Sequence, residues 1–280
     1  MKSRTFRKKI GQSIVFLICI AGAAMILTPV WWMLSTSLKS MKEIMKYPPT
    51  WYPEEMHFTN YIKAWVGANF TRYTLNTLFL AFFGVTSNVL SNSFIAYGFA
   101  KIKFPGRKIW FGIVLSLMMI PGFVTMIPQY ILFTRLGWIN TYLPLIVPGF
   151  FGSSFFIFLL RQFFMSIPSS LIEAARIDGA SHFYIWRKIM IPLAKPAIAT
   201  VAIFSFNGKW NDFVGPLLYL NSEKLYTIQI GLHHFKGQVH TQWNYLMAAS
   251  LMALIPVVAI FFFFQRHFIE GMDVAGSTKG

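Results

Sequence analysis

Little in this sequence is arranged to make or break covalent bonds. The 280 residues include only 9 Asp and Glu, 6 His and a single Cys. No G-x-x-x-x-G-K-[ST] loop is present to cradle the phosphates of a nucleotide, no H-E-x-x-H helix face for zinc, and no G-x-S-x-G nucleophile turn. His233, His234 and His240 read as ordinary loop residues, so neither a metal site nor a catalytic residue is expected, and a lone Cys19 forms no intrachain disulfide. The polar residues that stand out lie inside apolar runs, where burial is costly. Asn88 and Asn92, with Ser87 and Ser91, share faces at i, i+4. Asn207 and Asn211 repeat that spacing, and Lys209 and Asp212 at i, i+3 are close enough to neutralise each other. Such groups either line a hydrated translocation path or hydrogen-bond one helix to another. For Asn88 and Asn92 both readings stand. For Asn207, Lys209, Asn211 and Asp212, with two charges at membrane depth, the path or its external gate is the favoured reading.

The elements that must position these residues are membrane helices. Hydrophobic residues make up 55% of the chain and charged ones 12%, with 30 Phe, far from a soluble average. A bilayer core of roughly 30 Å needs about 20 apolar residues per helix. Gly11–Leu34, Tyr73–Ala100, Ile109–Thr134 and Leu136–Leu160 meet that length, and Pro196–Leu220 and Tyr245–Phe264 are two less clean spans. The alternating short segments of a membrane barrel are missing. The expected fold class is therefore an all-α membrane protein with six transmembrane helices. Pro121, Pro128, Pro144 and Pro148 are expected to kink or break their helices. Three parts follow: residues 1–71, a basic start, first helix and external connection; residues 72–265, the core; and residues 266–280, a tail. The start resembles a secretory signal, but the apolar run is too long and has no convincing cleavage site, so a retained helix is expected.

The net charge of +16 reads as topology rather than nucleic-acid binding, since no nucleic-acid-reading motif accompanies it. With the N-terminus inside, cytoplasmic segments hold 16 Lys and Arg and external segments eight. Five of those eight lie in the long 35–72 connection, where the positive-inside rule counts less. Both termini are thus expected in the cytoplasm. Trp51, Tyr52 and Trp65 are expected at headgroup level outside.

The longest cytoplasmic segment, 161–195, has helix signals of its own. Ser170 with Glu173 fits a capping box opening a helix over 171–178. Leu171, Ala174, Ala175 and Ile177 would face a partner or the membrane body. Gly179 would end that helix in a left-handed cap, and Ser181 would start a second one carrying Phe183, Ile185 and Trp186. Two capped short helices make a rigid knob.

Glu173-Ala174-Ala175-Arg176-Ile177-Asp178-Gly179-Ala180, followed by Ile189, Ile191 and Pro192, resembles the EAA signature of the inner-membrane subunits of bacterial ABC importers. Ile191 stands where Leu is usual. Further stretches resemble the carbohydrate-uptake, maltose-type branch: Ala96–Ala100 running into Phe104–Arg107, Met119–Pro121 with Ile127-Pro128, Gly137–Thr141, Trp210–Phe213, Leu246–Ser250 and the ending Glu270-Gly271 to Lys279-Gly280. The match covers about 76–280; before Tyr73 it is loose, and Ser-Thr stands before Lys279-Gly280 where Ala-Val is common.

This resemblance implies the type I ABC importer permease fold in a bacterial cell membrane, with half of the translocation pathway for a sugar or oligosaccharide in this chain. A polyol or glycerol phosphate is the second substrate class. The chain would bind no cofactor; ATP and Mg would sit on partner ATPase subunits, so it is no enzyme itself. The implied partners are a homologous second permease, two copies of the ATPase and an extracytoplasmic solute-binding protein. Glu173, Ala174, Ala175, Asp178, Gly179 and Phe183 would couple to the ATPase. Phe235, Lys236, Gly237 and Gln238 would form the exposed tip of the loop touching the binding protein. A self-contained secondary transporter fits less well, since the 98–108 turn lacks the acidic residue that class needs and six helices is half its usual number. A membrane enzyme finds no nucleophile–base or metal set.

Overall fold

A computed structural model of the chain describes residues 2–237 and 241–276, with side-chain environments for 11–237 and 241–264. Among the described residues, four helical stretches are long and apolar enough to cross a membrane: 11–37, 70–101, 143–166 and 243–264. Two more pairs of helices pass the same test but are bent, so the spans number six if each pair is one.

The chain divides into two compact units. The first comprises Met1–Phe70 and Leu232–Leu254. Helix α1 (Lys2–Ser37) exposes every residue from 11 to 30, as expected of a helix that is apolar all round and meets lipid. Its end is tied to α2 (Met41–Ile44) and α3 (Thr59–Gly67) by polar side chains. Asn60 donates from Nδ2 to the carbonyls of Ser37 (2.9 Å) and Lys39 (3.0 Å), and Asn244 Nδ2 donates to Asn60 Oδ1 at 3.3 Å. Glu43 Oε1 accepts from Thr50 Oγ1 and from the Glu54 amide, both at 2.9 Å. Lys39 reaches the Thr50 carbonyl over the Trp32 ring. Burial lowers the Lys39 pKa and the Glu43 charge partly restores it. Trp51 and Tyr52 are exposed, each edge-on to a tryptophan of α1 (Trp32 and Trp31), which suits the headgroup level expected of them.

The second unit comprises Thr71–Gly231 and Ile255–Gly280. Most of α4 (Phe70–Lys101, 32 residues) belongs to it, and at 1.5 Å per residue that helix is about 48 Å long, more than a bilayer core. After the turn at Pro105-Gly106 come α5 (Arg107–Ser116) with a 3-10 turn to Met119, then α6 (Gly122–Arg135). The expected single span 109–134 is therefore two helices bent by 98°. Pro121 is extended (ψ 134°) and has no N–H to continue the ladder.

The next expected span, 136–160, is displaced. Residues 136–142 form a loop; α7 (Leu143–Ile146) passes through a 3-10 stretch, Val147–Phe151, into α8 (Ser154–Ser166). Pro148 and Gly152 (φ +90°) mark the break. Then follow α9 (Ser169–Ile177), α10 (His182–Ile185), a π turn over Trp186–Met190 and α11 (Ile191–Leu193). At Ala194 the chain bends by 85° into α12 (Lys195–Trp210). The expected span 196–220 stops at Trp210, and α13 (Val214–Tyr219) is a separate short helix. After a 3-10 turn at Glu223–Leu225 come α14 (Ile228–His234) and α15 (Trp243–Gly276).

Breaks inside a membrane leave backbone groups that no water will satisfy. At the break over 149–153, α4 bonds two of them. Asn92, fully buried, accepts the Ser153 amide on Oδ1 at 2.6 Å and donates from Nδ2 to the Asn88 carbonyl at 2.7 Å. Ser91 Oγ donates to the Gly149 carbonyl at 2.9 Å, and Asn88 Nδ2 donates to Ser205 Oγ at 2.8 Å. Gly149 packs close against α4: a Cβ there would lie 2.5 Å from Ser87 Oγ and would push that hydroxyl aside. The amide and hydroxyl face of α4 thus bonds helix to helix. Asn92→Leu should cost about 1–2 kcal/mol, because it strands the Ser153 amide beside the break. The check is a lower unfolding midpoint on denaturant titration in detergent, with the exposed Asn207→Ala changing it by no more than about 0.5 kcal/mol.

Candidate functional site

The polar knob predicted between α8 and α12 is present and has two faces. Helix α9 starts after Pro168, which is extended and forms no side-chain cap. The expected Ser170–Glu173 capping box is not made, because the helix begins two residues earlier and Ser170 already lies within it. The other end is as expected. Gly179 has φ +81°, the Ala180 amide donates to the Ala175 carbonyl at 2.9 Å, and the Gly179 amide donates to that of Arg176 at 3.1 Å. This pair of bonds is a Schellman ending. A Cβ at Gly179 would meet nothing within 4 Å, so glycine is needed for the left-handed backbone alone. Ser181 then caps α10, its Oγ accepting the Tyr184 amide at 3.2 Å.

The inner face is held by a continuous core. Ile172, Ile185, Trp186 and Met190 are buried with Tyr97 of α4, Leu160 and Phe164 of α8 and Val201 of α12. Two bonds to α4 fix the angle of the second helix: Trp186 Nε1 donates to Ser93 Oγ (3.2 Å), and His182 Nδ1 lies 2.9 Å from the Tyr97 hydroxyl. The outer face carries Glu173, Ala174, Asp178 and Gly179, all exposed, with Ile177 86% and Phe183 56% exposed. Of the face predicted from spacing, only Ala175 packs against the body, while Leu171, Ala174 and Ile177 look outward. Ile172 does the packing, since α9 is rotated by about one residue from the expected register. Glu173 has no hydrogen-bond or ion-pair partner among the described residues, so its carboxylate is free for another molecule.

The polar residues of the fifth span separate into a buried charge and an exposed row. Lys209 does not pair with Asp212; among the described residues no ion pair joins them. Its Nζ donates to the Leu145 carbonyl at 2.7 Å, where α7 runs toward the 3-10 break, and its stem lies against Gly84 of α4. A Cβ at Gly84 would come within 2.7 Å of that stem. Asp212 Oδ1 instead accepts the Gly215 amide at 3.0 Å and starts α13. Asn207 and Asn211 are exposed, and Asn211 Nδ2 donates to Asn207 Oδ1 at 2.6 Å. A third amide joins this row: Gln229 of α14 donates from Nε2 to Asn211 Oδ1 at 3.3 Å. Gln229 is 18 residues from Asn211 and on another helix, so no local spacing could have revealed it.

The predicted loop tip is only partly a tip. Phe235 is buried, stacked on Phe70 at 6.0 Å and near Tyr245 at 6.3 Å, which corrects the expectation of an exposed ring there. An apolar ring at a helix end gains more by packing than by solvation. Lys236 and Gly237 are exposed, and Lys236 bridges to Thr241 in antiparallel fashion. Gln238 lies outside the described residues, as does His240.

Residues 92–274 match the family model described as binding-protein-dependent transport system inner membrane component. The arabinooligosaccharides transport system permease protein AraQ of Bacillus subtilis (strain 168) is 35% identical over 257 residues, 91% of each chain. The sn-glycerol-3-phosphate transport system permease protein UgpE of Rhizobium meliloti (strain 1021) is 32% identical, over 95% of this chain and 97% of that one. Among solved structures, a chain of a bacterial ABC transporter involved in the import of the acidic polysaccharide alginate superposes with a TM-score of 0.81 at 26% identity, covering 93% of this chain and 97% of the other. Matched across its core by the family model and nearly end to end by a relative of that kind, this chain belongs to the family of binding-protein-dependent transport system inner membrane components.

Proposed function

We propose that this permease forms half of the translocation pathway for a neutral sugar or short oligosaccharide and takes its driving force from a separate ATPase through the 169–186 knob. A homologous second permease, two ATPase copies and an extracytoplasmic solute-binding protein complete the assembly. ATP and Mg belong to the ATPase copies, and no cofactor is assigned to this chain.

The observation that carries the coupling role is the two-faced knob. A lever must be rigid where it meets the bundle and free where it meets the motor. Ile185 and Met190 are fully buried beneath it, while Glu173 projects without a hydrogen-bond or ion-pair partner among the described residues and Phe183 is 56% exposed, one side of its ring resting on Trp186 at 5.3 Å. Ala174 and Ala175 keep α9 slim, Asp178 and Gly179 make its turn, and Glu173 supplies the charge. The knob lies at the same end of the bundle as the basic turn 101–108, because Lys101 Nζ donates to the Ile167 carbonyl at 2.5 Å. The excess of cations there supports a cytoplasmic placement of that end, and with it cytoplasmic termini.

The amide row of exposed Asn207 and Asn211 with half-buried Gln229 supports the substrate class. Amides both donate and accept, as hydroxyl-rich solutes require. The adjacent cation, Lys209, is turned away and spent on the Leu145 carbonyl, which favours a sugar of the kind named for AraQ over the phosphate ester named for UgpE. In this reading Asp212 starts α13 beside the row as part of an external gate, and Asn88 and Asn92 back the path by holding the break at 149–153 in shape. Lys236, Gly237 and Gln238 form the loop edge offered to the binding protein, with Phe235 as its anchor.

Glu173→Lys should abolish uptake and ATPase stimulation while the protein still inserts. Gly179→Val should do the same, since a β-branched residue in the left-handed region is strained by about 1–2 kcal/mol, whereas Gly179→Asn should keep most activity. Near-normal transport by both Glu173→Lys and Gly179→Val would remove the coupling role. For substrate, Asn211→Leu and Gln229→Leu should each slow sugar uptake about tenfold, the worth of one lost hydrogen bond of about 1.4 kcal/mol, with ATPase docking intact. Binding of arabinooligosaccharides to the co-purified solute-binding protein tests the class directly. Preference of that protein for sn-glycerol 3-phosphate would replace the sugar reading. A cysteine at Gln238 should crosslink to the binding protein with ATP trapped and much less at rest; equal labelling in both states would exclude the loop from the cycle.

A further inference from the structure

We infer that the turn between α4 and α5 is a binding site for the headgroup of an anionic phospholipid. The segment Lys101–Lys108 carries four cations, and no Asp or Glu occurs anywhere between Glu55 and Glu173, so the sequence around the turn offers no anion to pair with them. Two cations of this end are already committed. Lys101 is bound to the Ile167 carbonyl, and the Arg161 guanidinium lies 3.9 Å from the centre of the Phe111 ring, with Nε donating to the Phe99 carbonyl at 3.3 Å. Arg107 spends one terminal nitrogen on the Ile102 carbonyl at 3.2 Å and keeps its remaining donors. Lys103 and Lys108 are exposed, with no hydrogen-bond or ion-pair partner among the described residues.

These three side chains surround an open cavity of about 460 Å³, whose other walls are Phe104, Gly106 and Ile109. The turn itself is fixed rather than floppy. Gly106 has φ +75°, and the Trp110 ring packs beside it, so that a Cβ on Gly106 would lie 3.4 Å from that ring. The cations are therefore held around the cavity by a formed turn, which lowers the ordering cost of binding an anion.

The apolar surroundings select the source of that anion. Just beyond the cavity α5 presents Ile109 (71% exposed), Trp110 (58%) and Ile113 (46%). In a membrane protein that surface is stable only against hydrocarbon, with the indole at the headgroup boundary. A ligand with one anionic end and acyl chains fits both parts at once. A free phosphate ion fits the cavity and leaves the α5 face uncovered. Each Lys or Arg near an anionic headgroup adds a favourable increment that falls off within a Debye length.

The test uses the full chain in its transporter complex, in micelles holding equal amounts of phosphatidylglycerol and phosphatidylcholine, with bound lipid counted by native mass spectrometry. Phosphatidylglycerol should be retained preferentially, and the exposed double variant Lys103→Gln/Lys108→Gln should lower its retention more than about tenfold, close to the phosphatidylcholine level. Ile109→Asn should weaken phosphatidylglycerol retention with the cations in place. Excess inorganic phosphate should not displace the lipid. The control Lys42→Gln/Lys63→Gln removes two exposed cations elsewhere and should change nothing. Equal retention of the two lipids, an unaffected Lys103/Lys108 variant, or loss of an ATPase subunit rather than of lipid from that variant would overturn the site. Displacement by inorganic phosphate together with an inert Ile109→Asn would overturn it too, leaving only an anion pocket.

Discussion

The need to satisfy backbone hydrogen bonds without water governs the second unit of this protein. Its third and fifth spans are bent by 98° and 85°, and its fourth is interrupted around Gly152. A break in hydrocarbon exposes N–H and C=O groups at a cost of several kcal/mol each. At the fourth span, and in the loop that leads to α14, the polar side of α4 offsets that cost. Asn92 takes the Ser153 amide, Ser91 binds the Gly149 carbonyl, and Thr77 Oγ1 accepts the Ile228 amide at 2.9 Å. Asn76 donates to the carbonyls of Lys224 and Tyr226 at 3.0 and 2.9 Å. One long unbroken helix thus supports both the interruption of the fourth span and the segment that leads into α14, whose Gln229 reaches Asn211.

The same helix holds the 169–186 knob. Ser93 and Tyr97 receive Trp186 and His182, and Lys101 closes the connection from α8. From Asn76 to Lys101, α4 therefore bonds both to the knob and to Ser205, Lys224, Tyr226 and Ile228, which flank the row Asn207–Asn211–Gln229 in sequence. A push on Glu173 or Phe183 reaches the bundle through Trp186 and the fully buried Ile185 and Met190. Small motions at that base are transmitted rather than absorbed, because a close-packed core is nearly incompressible.

Charge is distributed with comparable economy. Lys209, the one cation between Lys195 and Lys224, is placed on a helix-end carbonyl rather than on an acid. Asp212 is placed on an amide that starts a helix. Each neutralises a backbone dipole at a break. Lys103 and Lys108, by contrast, are exposed on the turn 101–108 and are placed on no backbone group among the described residues.

Much of the fold was legible from the sequence because hydrophobic length and charge asymmetry are local properties. The six spans, the Schellman ending at Gly179 and the cap at Ser181 follow from composition, from the absence of a Cβ and from a hydroxyl at the right place. The start of α9 was read two residues late, since Pro168 and the end of α8, not the side chain of Ser170, decide where that helix begins. The bend angles at Pro121 and Ala194 came only with the packing: a proline permits a break, but neighbouring helices choose its size. Tertiary contact likewise decided the pairing choices. Lys209 sits three residues from Asp212, yet a carbonyl on another element lies nearer to its buried ammonium. Phe235 looked like a tip and is buried because Phe70, 165 positions away in sequence, presents a ring to it. Gln229 joined Asn211 only once α14 came to rest beside the end of α12. Residue types and short spacings determined which elements form and what kind of site they carry. Which polar atoms are spent within the bundle and which remain free for a solute or a partner was settled by distances between segments remote in the chain, and these no short-range pattern encodes.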